Sequence, residues 1–205
     1  MPDRWIYAAR HGGWTTAIDA TAALARLAWS LPPAERAGLV AGTRRDAIHA
    51  LARHRSALVR INTAHLLAAV GDDDAIKQLL AQLHDDASPH ARAAALVALA
   101  RIHHARPTPA IEAALNAAMT DANAAVRRAA AAPPEVLDAR DHWAAFYVVD
   151  PDDIAVRRTP YFVHLPDGLV WATETDARGE IAAEHVPAGD PATWPVRPAT
   201  DEAQF

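Results

Sequence analysis

The residues best placed to do chemistry are basic and lie close together in the first third of the chain. Arg45, His49 and Arg53 are four residues apart, so on a helix they would line one face. Such a stripe suits an anionic group and predicts a binding surface for an acidic protein partner. A solvated face with Glu35 and Asp46 as counterions is the alternative. The candidate partner-binding residues are Arg44, Arg45, His49, Arg53 and Arg55.

Residue types that perform catalysis or bind metals form no recognisable site. His103 and His104 are adjacent, so on a helix they would point about 100° apart and would not easily share one ion. The three serines are all explained as turn or helix-cap residues, and the absence of Cys excludes thiolate chemistry and disulfides. Glycine is too sparse for a phosphate-binding loop. We therefore expect no catalytic residues, no metal and no cofactor, so the protein is not predicted to be an enzyme.

The composition favours closely packed helices. Hydrophobic residues make up 51 % of the 205 positions and charged residues 22 %, which excludes a wholly disordered chain, and about a quarter of all residues are Ala. No uncharged apolar run reaches the roughly 18 residues of a membrane span, and the N-terminus does not resemble a secretory leader. We expect a cytoplasmic protein that does not bind membranes.

The elements that position the basic residues are predicted by an internal repeat. Three segments begin with Ser or Asn four positions before an Arg and continue into an apolar helical pattern, as expected of helix starts. They are residues 56–60, 88–92 and 123–127. Between them, 73–83 corresponds to 108–118, with apolar residues at helical spacing. Each unit is therefore a predicted helical hairpin.

The repeat is flanked by a different unit on each side. Upstream, residues 15–30 and 32–54 are predicted to be two helices that act as a terminal capping repeat. Downstream, Pro133 and Pro134 are expected to end the first helix of the third unit and with it the solenoid.

The repeat residues resemble the HEAT repeats of the type found in phycobilisome lyases. The resemblance lies in Asp86…Ala91-Arg92-x-Ala94-Ala95…Leu99 and Asp121…Val126-Arg127-x-Ala129-Ala130, and it covers roughly residues 44 to 132. It implies an α-solenoid in which these Asp and Arg side chains pair between neighbouring units. His54 stands where the first unit would have Asp, so we expect an incomplete ladder there.

The C-terminal third has a different composition, rich in aromatic and β-branched residues with Gly and Pro between short runs. Residues 161–165 and 169–173 are predicted to form a β-hairpin, and 146–149 and 180–186 further strands. The pattern Pro160-Tyr161…Leu165…Asp167-Gly168…Thr175-Asp176-x-x-Gly179 resembles transthyretin-like modules fused to bacterial type VI secretion proteins. The alternative is a small sheet that covers the open end of the solenoid.

Charge separates the two parts. Residues 1 to 140 carry 16 basic and 13 acidic side chains, a net +3, whereas residues 141 to 205 carry 4 and 12, a net −8. This asymmetry is consistent with mutual docking or with different partners.

The sequence thus predicts a mainly α fold, a short HEAT-type α-solenoid of helical hairpins (1–134) with a small antiparallel β appendage and an acidic tail (135–205). The predicted function is a non-catalytic protein-binding module, an immunity or adaptor protein linked to a toxin or secretion system. A nucleic-acid-binding HEAT protein of the DNA-glycosylase type is the alternative, disfavoured by the pI near 6.1. A scaffold lyase or chaperone for a cofactor-bearing protein is a third.

Overall fold

The computed structural model describes residues 2–131, 142–164, 170–186 and 196–198. Over these residues the chain forms nine helices followed by five short strands, which confirms the predicted mainly α solenoid with a small β appendage. The helices are α1 (Pro2–His11), α2 (Trp14–Ser30), α3 (Pro33–Leu39), α4 (Thr43–Leu51), α5 (Ala57–Val70), α6 (Asp73–Asp85), α7 (Pro89–Ala105), α8 (Pro109–Ala118) and α9 (Ala124–Ala131). The strands are β1 (His142–Tyr147), β2 (Pro160–His164), β3 (Val170–Glu174), β4 (Glu180–Val186) and β5 (Val196–Pro198).

The helices form two layers. In one layer α2, α5, α7 and α9 pack side by side, and we call it the inner layer. The other, outer layer contains α1, α4, α6 and α8, which pack against the inner helices and against one another. The core between the layers is made of Leu, Ile and many Ala side chains, whose small size lets the helices approach closely.

The predicted helix starts are where the repeat places them, with one difference in their capping. The hydroxyl of Ser88 accepts a hydrogen bond from the N–H of Ala91, and the side chain of Asn123 accepts one from Ala125. Ser56 occupies the same position before α5, but its buried hydroxyl makes no capping bond to the helix.

The N-terminal part differs from the prediction at two points. Residues 2–11 form α1, a helix that was not predicted and that packs against α2 and α4. The single helix predicted over 32–54 is wrong, because α3 and α4 are separated at Val40–Gly42. Gly42 has φ 60° and ψ −136°, a conformation that other residues rarely adopt, and it ends the possibility of a continuous helix.

The appendage consists of two antiparallel sheets. Strands β2 and β3 pair as the predicted hairpin, with Tyr161 opposite Thr173 and Val163 opposite Trp171, and β5 adds to the other edge of β2. Strand β4 pairs with β1 rather than with the hairpin. A turn at residues 176–179 precedes β4, in which the Asp176 carboxylate accepts hydrogen bonds from the N–H groups of Arg178 and Glu180.

The appendage covers the inner helix layer along its length. Strand β3 packs against α2 and α5, and β4 packs against α2. Further along, Val97 of α7 is buried in one cluster with Tyr161, Val163 and Ile181. Tyr161 and Val163 are therefore buried where the appendage meets the solenoid.

The position of the appendage explains the composition of the inner helices. In α7, every residue from Ala93 to Leu99 is buried, because α6 and α8 cover one side, α5 and α9 pack beside it, and Val97 clusters with the appendage. The expectation that the sheet covers only the open end of the solenoid is therefore too narrow. The predicted boundary after residue 134 and the predicted hairpin turn at 166–168 lie outside the described residues.

Candidate functional site

The repeat arginines form a ladder between successive units. Arg60 at the start of α5 holds the carboxylate of Asp86 with two hydrogen bonds of 2.7 Å, from Nε and Nη2. Both side chains are largely removed from water, at 14 % and 5 % exposure. At the next step, Nη2 of Arg92 lies 3.5 Å from the carboxylate of Asp121. The pairing between neighbouring units that the HEAT resemblance implies is thus present at both joints.

Each ladder arginine is also held by the turn that precedes its own helix. Nη1 of Arg60 donates to the carbonyl of His54 at 2.7 Å, and Nη1 of Arg92 donates to the carbonyl of Asp86 at 3.0 Å. The acceptor of the Arg60 hydrogen bond is the backbone carbonyl of residue 54, so the bond does not depend on the side chain at that position. The Arg60–Asp86 joint does not involve the side chain at position 54, so the expectation drawn from His54 stays a prediction.

Arg127 ends the ladder. Its Nη1 donates to the carbonyls of Asp121 and Ala122, at 2.6 and 2.8 Å. The Asp121 carboxylate faces Arg92 of the preceding unit instead of Arg127.

Two of the five predicted partner-binding residues are occupied by acids of the same chain. Arg44 makes a two-bond ion pair with Asp3 of α1, at 2.7 and 2.9 Å. Arg45 forms ion pairs with Asp72 and Asp74 at the start of α6. Their charges therefore join neighbouring helices of the solenoid, and their role in partner binding stays a prediction.

The predicted stripe of Arg45, His49 and Arg53 is not continuous. Helix α4 ends at Leu51, and Arg53 lies in the tight turn that follows, where its N–H donates to the carbonyl of Ala50. His49 is half-buried in the small space that Arg45 also lines. The four-residue spacing predicted a helix through Arg53, because residues 52–55 contain no Gly or Pro that would mark the end of α4.

Arg53 and Arg55 remain as exposed cations. Neither forms an ion pair with a residue in the described part of the chain. Both line a cleft of about 440 Å³, which we call the first cleft, between the α4–α5 turn and the C-terminal half of α6. Its remaining walls include Arg60, Asp86, Gln78 and Gln82 together with Ala52, Ala81 and Ala87, so charged and apolar groups both line it.

A second cleft, of about 510 Å³, lies one repeat further along the same edge of the solenoid. The Arg92–Asp121 pair lines one side, as Arg60–Asp86 lines the first cleft. Its other walls are largely apolar, with Leu80 and Leu83 of α6 facing small residues of α8. The small residues are Ala114, Ala117 and Ala118.

Sequence reasoning missed both clefts, although one signal was available. Asp86 and Asp121 occupy equivalent register positions, so the spaces between consecutive outer helices must also be equivalent. Comparing their lining residues position by position would have shown that Gln82 in the first unit is replaced by Ala117 in the next. We call the shared border, with the turns at 52–56, 86–88 and 119–123, the inter-repeat edge.

Like charges meet where the appendage contacts α2. The side chain of Glu174 in β3 is 4 % exposed, and its Oε1 lies 4.0 Å from Arg158. Burial raises the pKa of Glu174, the charge of Asp19 raises it further, and Arg158 lowers it. Asp19 keeps contact with water, but partial burial raises its pKa as well, against the opposing effect of Arg26 and Arg158.

The described residues contain no group of three or more His, Asp or Glu side chains that could hold a metal ion. Among the described helices, none combines the length and the apolar character that a membrane crossing requires.

Comparison with known proteins agrees with this geometry. The family model of HEAT repeats matches residues 45–132, and that segment, from α4 to α9, forms the repeat ladder described above. No curated protein and no solved structure matches the chain. The HEAT-repeat solenoid is thereby established for this segment and indicates a role in protein interaction or as a scaffold. The transthyretin-like resemblance of the C-terminal third is not confirmed.

Proposed function

We propose that this protein is a non-catalytic, protein-binding HEAT-repeat module whose partner presents an acidic surface to Arg53 and Arg55. One observation carries the proposal: these two arginines are exposed at the rim of the first cleft without an ion-pair partner among the described residues. Arg44, Arg45 and Arg60, by contrast, each hold a carboxylate of the chain itself.

The arrangement of layers leaves the inter-repeat edge accessible. The appendage covers the inner helices, whereas α6 buries only Ala75, Ile76, Leu79 and Gln82 and keeps its remaining surface half-buried or exposed. A solenoid with one face occupied by its own appendage offers the outer helices and the edge turns to a macromolecule.

Exposed arginines contribute mainly to the rate and specificity of association. Opposite charges across an interface steer the encounter, and salt screens that attraction. The proposed interaction should therefore be fastest at low ionic strength. Arginine also suits carboxylates geometrically, because its planar fork of donors can bind both oxygens at once.

The test starts with proteins that the tagged module recovers from its native host. Each recovered protein is purified and titrated against the wild type and the double variant Arg53→Glu/Arg55→Glu. We expect association to slow by about tenfold or more at low salt and to lose most of its salt dependence. Both positions are exposed, so thermal unfolding should change little.

The matched control is Arg128→Glu/Arg157→Glu, which reverses the same number of exposed charges away from the first cleft. If both double variants slow association equally, the effect comes from net charge and the proposed site is wrong. If the partner's association does not change with Arg53→Glu/Arg55→Glu, the partner binds elsewhere.

A nucleic-acid partner is the competing outcome. Duplex DNA that binds the wild type at moderate salt, with affinity lost in Arg53→Glu/Arg55→Glu, would replace the acidic protein as the ligand of this site.

The narrower role of an immunity or adaptor protein in a toxin or secretion system stays a prediction, as does a cytoplasmic location. This role depends on the transthyretin-like resemblance of the C-terminal third. It requires that the recovered partner be a toxin or a secretion component. An immunity role further requires that the toxin lose activity in the complex, which an activity assay with and without the module measures.

A further inference from the structure

We infer that the first and second clefts bind one extended segment of the partner protein, which places an acidic side chain in the first cleft and an apolar side chain in the second. This inference rests on the proposed function and specifies the chemistry of the partner. Its basis is the combination of two equivalent clefts on one edge, of which the first carries two exposed arginines and the second has the more apolar lining.

The two clefts are structural equivalents. In each, the ladder pair forms one wall, Arg60–Asp86 in the first and Arg92–Asp121 in the second. Helix α6 contributes to both, so the clefts lie side by side on its two flanks. A segment that follows the inter-repeat edge must therefore pass one cleft and then the other.

The first cleft suits a carboxylate. Arg53 and Arg55 stand at its rim and hold no acid among the described residues, whereas the Arg60 guanidinium is already satisfied by Asp86. Asp85 also lines this cleft, and its carboxylate lies 2.6 Å from His84. Gln78 adds a half-buried amide that suits the backbone of a bound segment, whereas Gln82 is buried and its Nε2 donates to the carbonyls of Arg60 and Ala91.

The second cleft suits an apolar side chain. Leu80 and Leu83 are half-buried, so part of their surface faces water in the free protein. Opposite them, Ala117 is exposed and Ala114 half-buried, and neither fills the space between α6 and α8. Arg92 contributes no free charge, because Asp121 and the carbonyl of Asp86 hold it. Burial of a Leu-sized side chain here would remove this apolar surface from water.

The distance between the clefts sets the spacing of the two side chains. Neighbouring packed helices are about 9 Å apart, so consecutive clefts are separated by about the same distance. An extended chain rises about 3.3 Å per residue, so the acidic and the apolar side chain should be about three residues apart. A helix of the partner would place residues at that separation less than about 6 Å apart, which is too close.

The edge favours a protein segment over a nucleic acid. In the second cleft, Arg92 and His84 each lie beside a carboxylate of the chain itself, that of Asp121 and that of Asp85. A nucleic acid would thus meet favourable charge at one cleft only.

The experiment uses the full chain and short fluorescein-labelled peptides in a Gly-Ser host, followed by fluorescence anisotropy. One peptide carries Asp and Leu three positions apart, in either order. The others replace Asp with Asn, replace Leu with Ser, or reduce the separation to one position. We expect the first peptide to bind about tenfold tighter than each of the others, as a charged pair and a buried apolar side chain predict.

Two variants separate the contributions of the clefts. In Arg53→Ala/Arg55→Ala, the preference for Asp over Asn should disappear while the preference for Leu over Ser remains. In Ala117→Gln, which places a polar side chain in the second cleft, the opposite should hold. Ala113→Gln, on the same helix but outside the cleft, is the control and should retain both preferences.

The inference is overturned if no peptide of the series binds at millimolar concentration, or if the spacing has no effect. It is also overturned if a single-stranded oligonucleotide binds more tightly than the peptides. The proposed function would survive the loss of peptide binding, because a folded acidic surface can still contact Arg53 and Arg55. That function fails only if the purified partner ignores the charge reversal at these residues.

Discussion

The joint between the first two repeats and the joint between α2 and the appendage treat charge in opposite ways. At the first joint, buried Arg60 and Asp86 neutralise each other with two hydrogen bonds of 2.7 Å. At the second, buried Glu174 faces the charge of Asp19, and its Oε2 has no hydrogen-bond partner in the described structure. The nearest distance between the Arg158 guanidinium and the Glu174 carboxylate is 4.0 Å, and the Arg158 side chain is 67 % exposed.

The difference indicates that the two joints respond differently to conditions. An ion pair that is largely removed from water, such as Arg60–Asp86, is screened little by salt. Two carboxyls that repel each other favour the protonated form, so their joint is most stable at acidic pH. The solenoid should therefore remain intact under conditions that loosen the contact between the appendage and α2.

The largest effect on stability is expected from removing one partner of the Arg60–Asp86 ion pair. In Asp86→Ala, Arg60 keeps a buried charge without its carboxylate, and the N–H of Ser88 loses the acceptor that it has at 2.9 Å. Removing one partner of a buried ion pair costs about 3 to 5 kcal/mol. Chemical denaturation should show a loss of about 3 kcal/mol, since Arg60 retains its bonds to backbone carbonyls.

Asp85→Ala is the matched control for this variant. The side chain of Asp85 is 73 % exposed, so its removal should change the free energy of unfolding by about 0.5 kcal/mol or less. Equal losses in the two variants would show that the ladder pair contributes no more than a surface charge.

The sequence predicted the repeat region of the structure better than its N-terminal part. The repeat spacing predicted α5 to α9 and the ladder, because cap residues, apolar periodicity and Asp–Arg register all recur together. Local signals were weaker at the N-terminus, where the break at Gly42 and the existence of α1 depend on packing and on one unusual backbone conformation.

The candidate site was predicted only in part. Arg53 and Arg55 were correctly placed on the surface, but sequence could not show that Arg44 and Arg45 are held by Asp3, Asp72 and Asp74, because those acids are distant in the chain. Likewise, no pattern in the sequence brings Asp19 and Glu174 together. Charge partners across tertiary contacts require the fold to be known.

An effect of intermediate size is expected from Glu174→Gln, which removes the repulsion between the Glu174 and Asp19 carboxylates. The raised pKa of Glu174 means that the folded state favours the neutral carboxyl. Stability from this group is therefore fully present below the ordinary glutamate value of 4.5 and is lost as pH rises through the raised pKa. Gln is neutral at every pH, so the variant should have a higher Tm than the wild type at pH 7 and a similar Tm at pH 4.

Thermal unfolding from pH 4 to pH 8 measures this difference. Asp19→Asn should give a smaller change in the same direction, because Asp19 is in greater contact with water. A lower Tm for Glu174→Gln at pH 7 would mean that the contact with Arg158 outweighs burial and repulsion, and the proposed contrast between the joints would be wrong.

The smallest effect is expected at the end of the ladder, in Arg127→Ala. Arg127 has the same position in its repeat as Arg60, but it is exposed and donates only to the carbonyls of its own turn in the described structure. Those carbonyls are near the surface, so water can replace the guanidinium at little cost. We expect a loss of less than about 1 kcal/mol, in the range of exposed charged contacts.

The ladder would then contribute stability in proportion to burial, with Arg60→Ala most affected, Arg92→Ala between and Arg127→Ala least. A loss for Arg127→Ala as large as that for Asp86→Ala would show instead that repeat position, and not burial of the pair, determines the contribution.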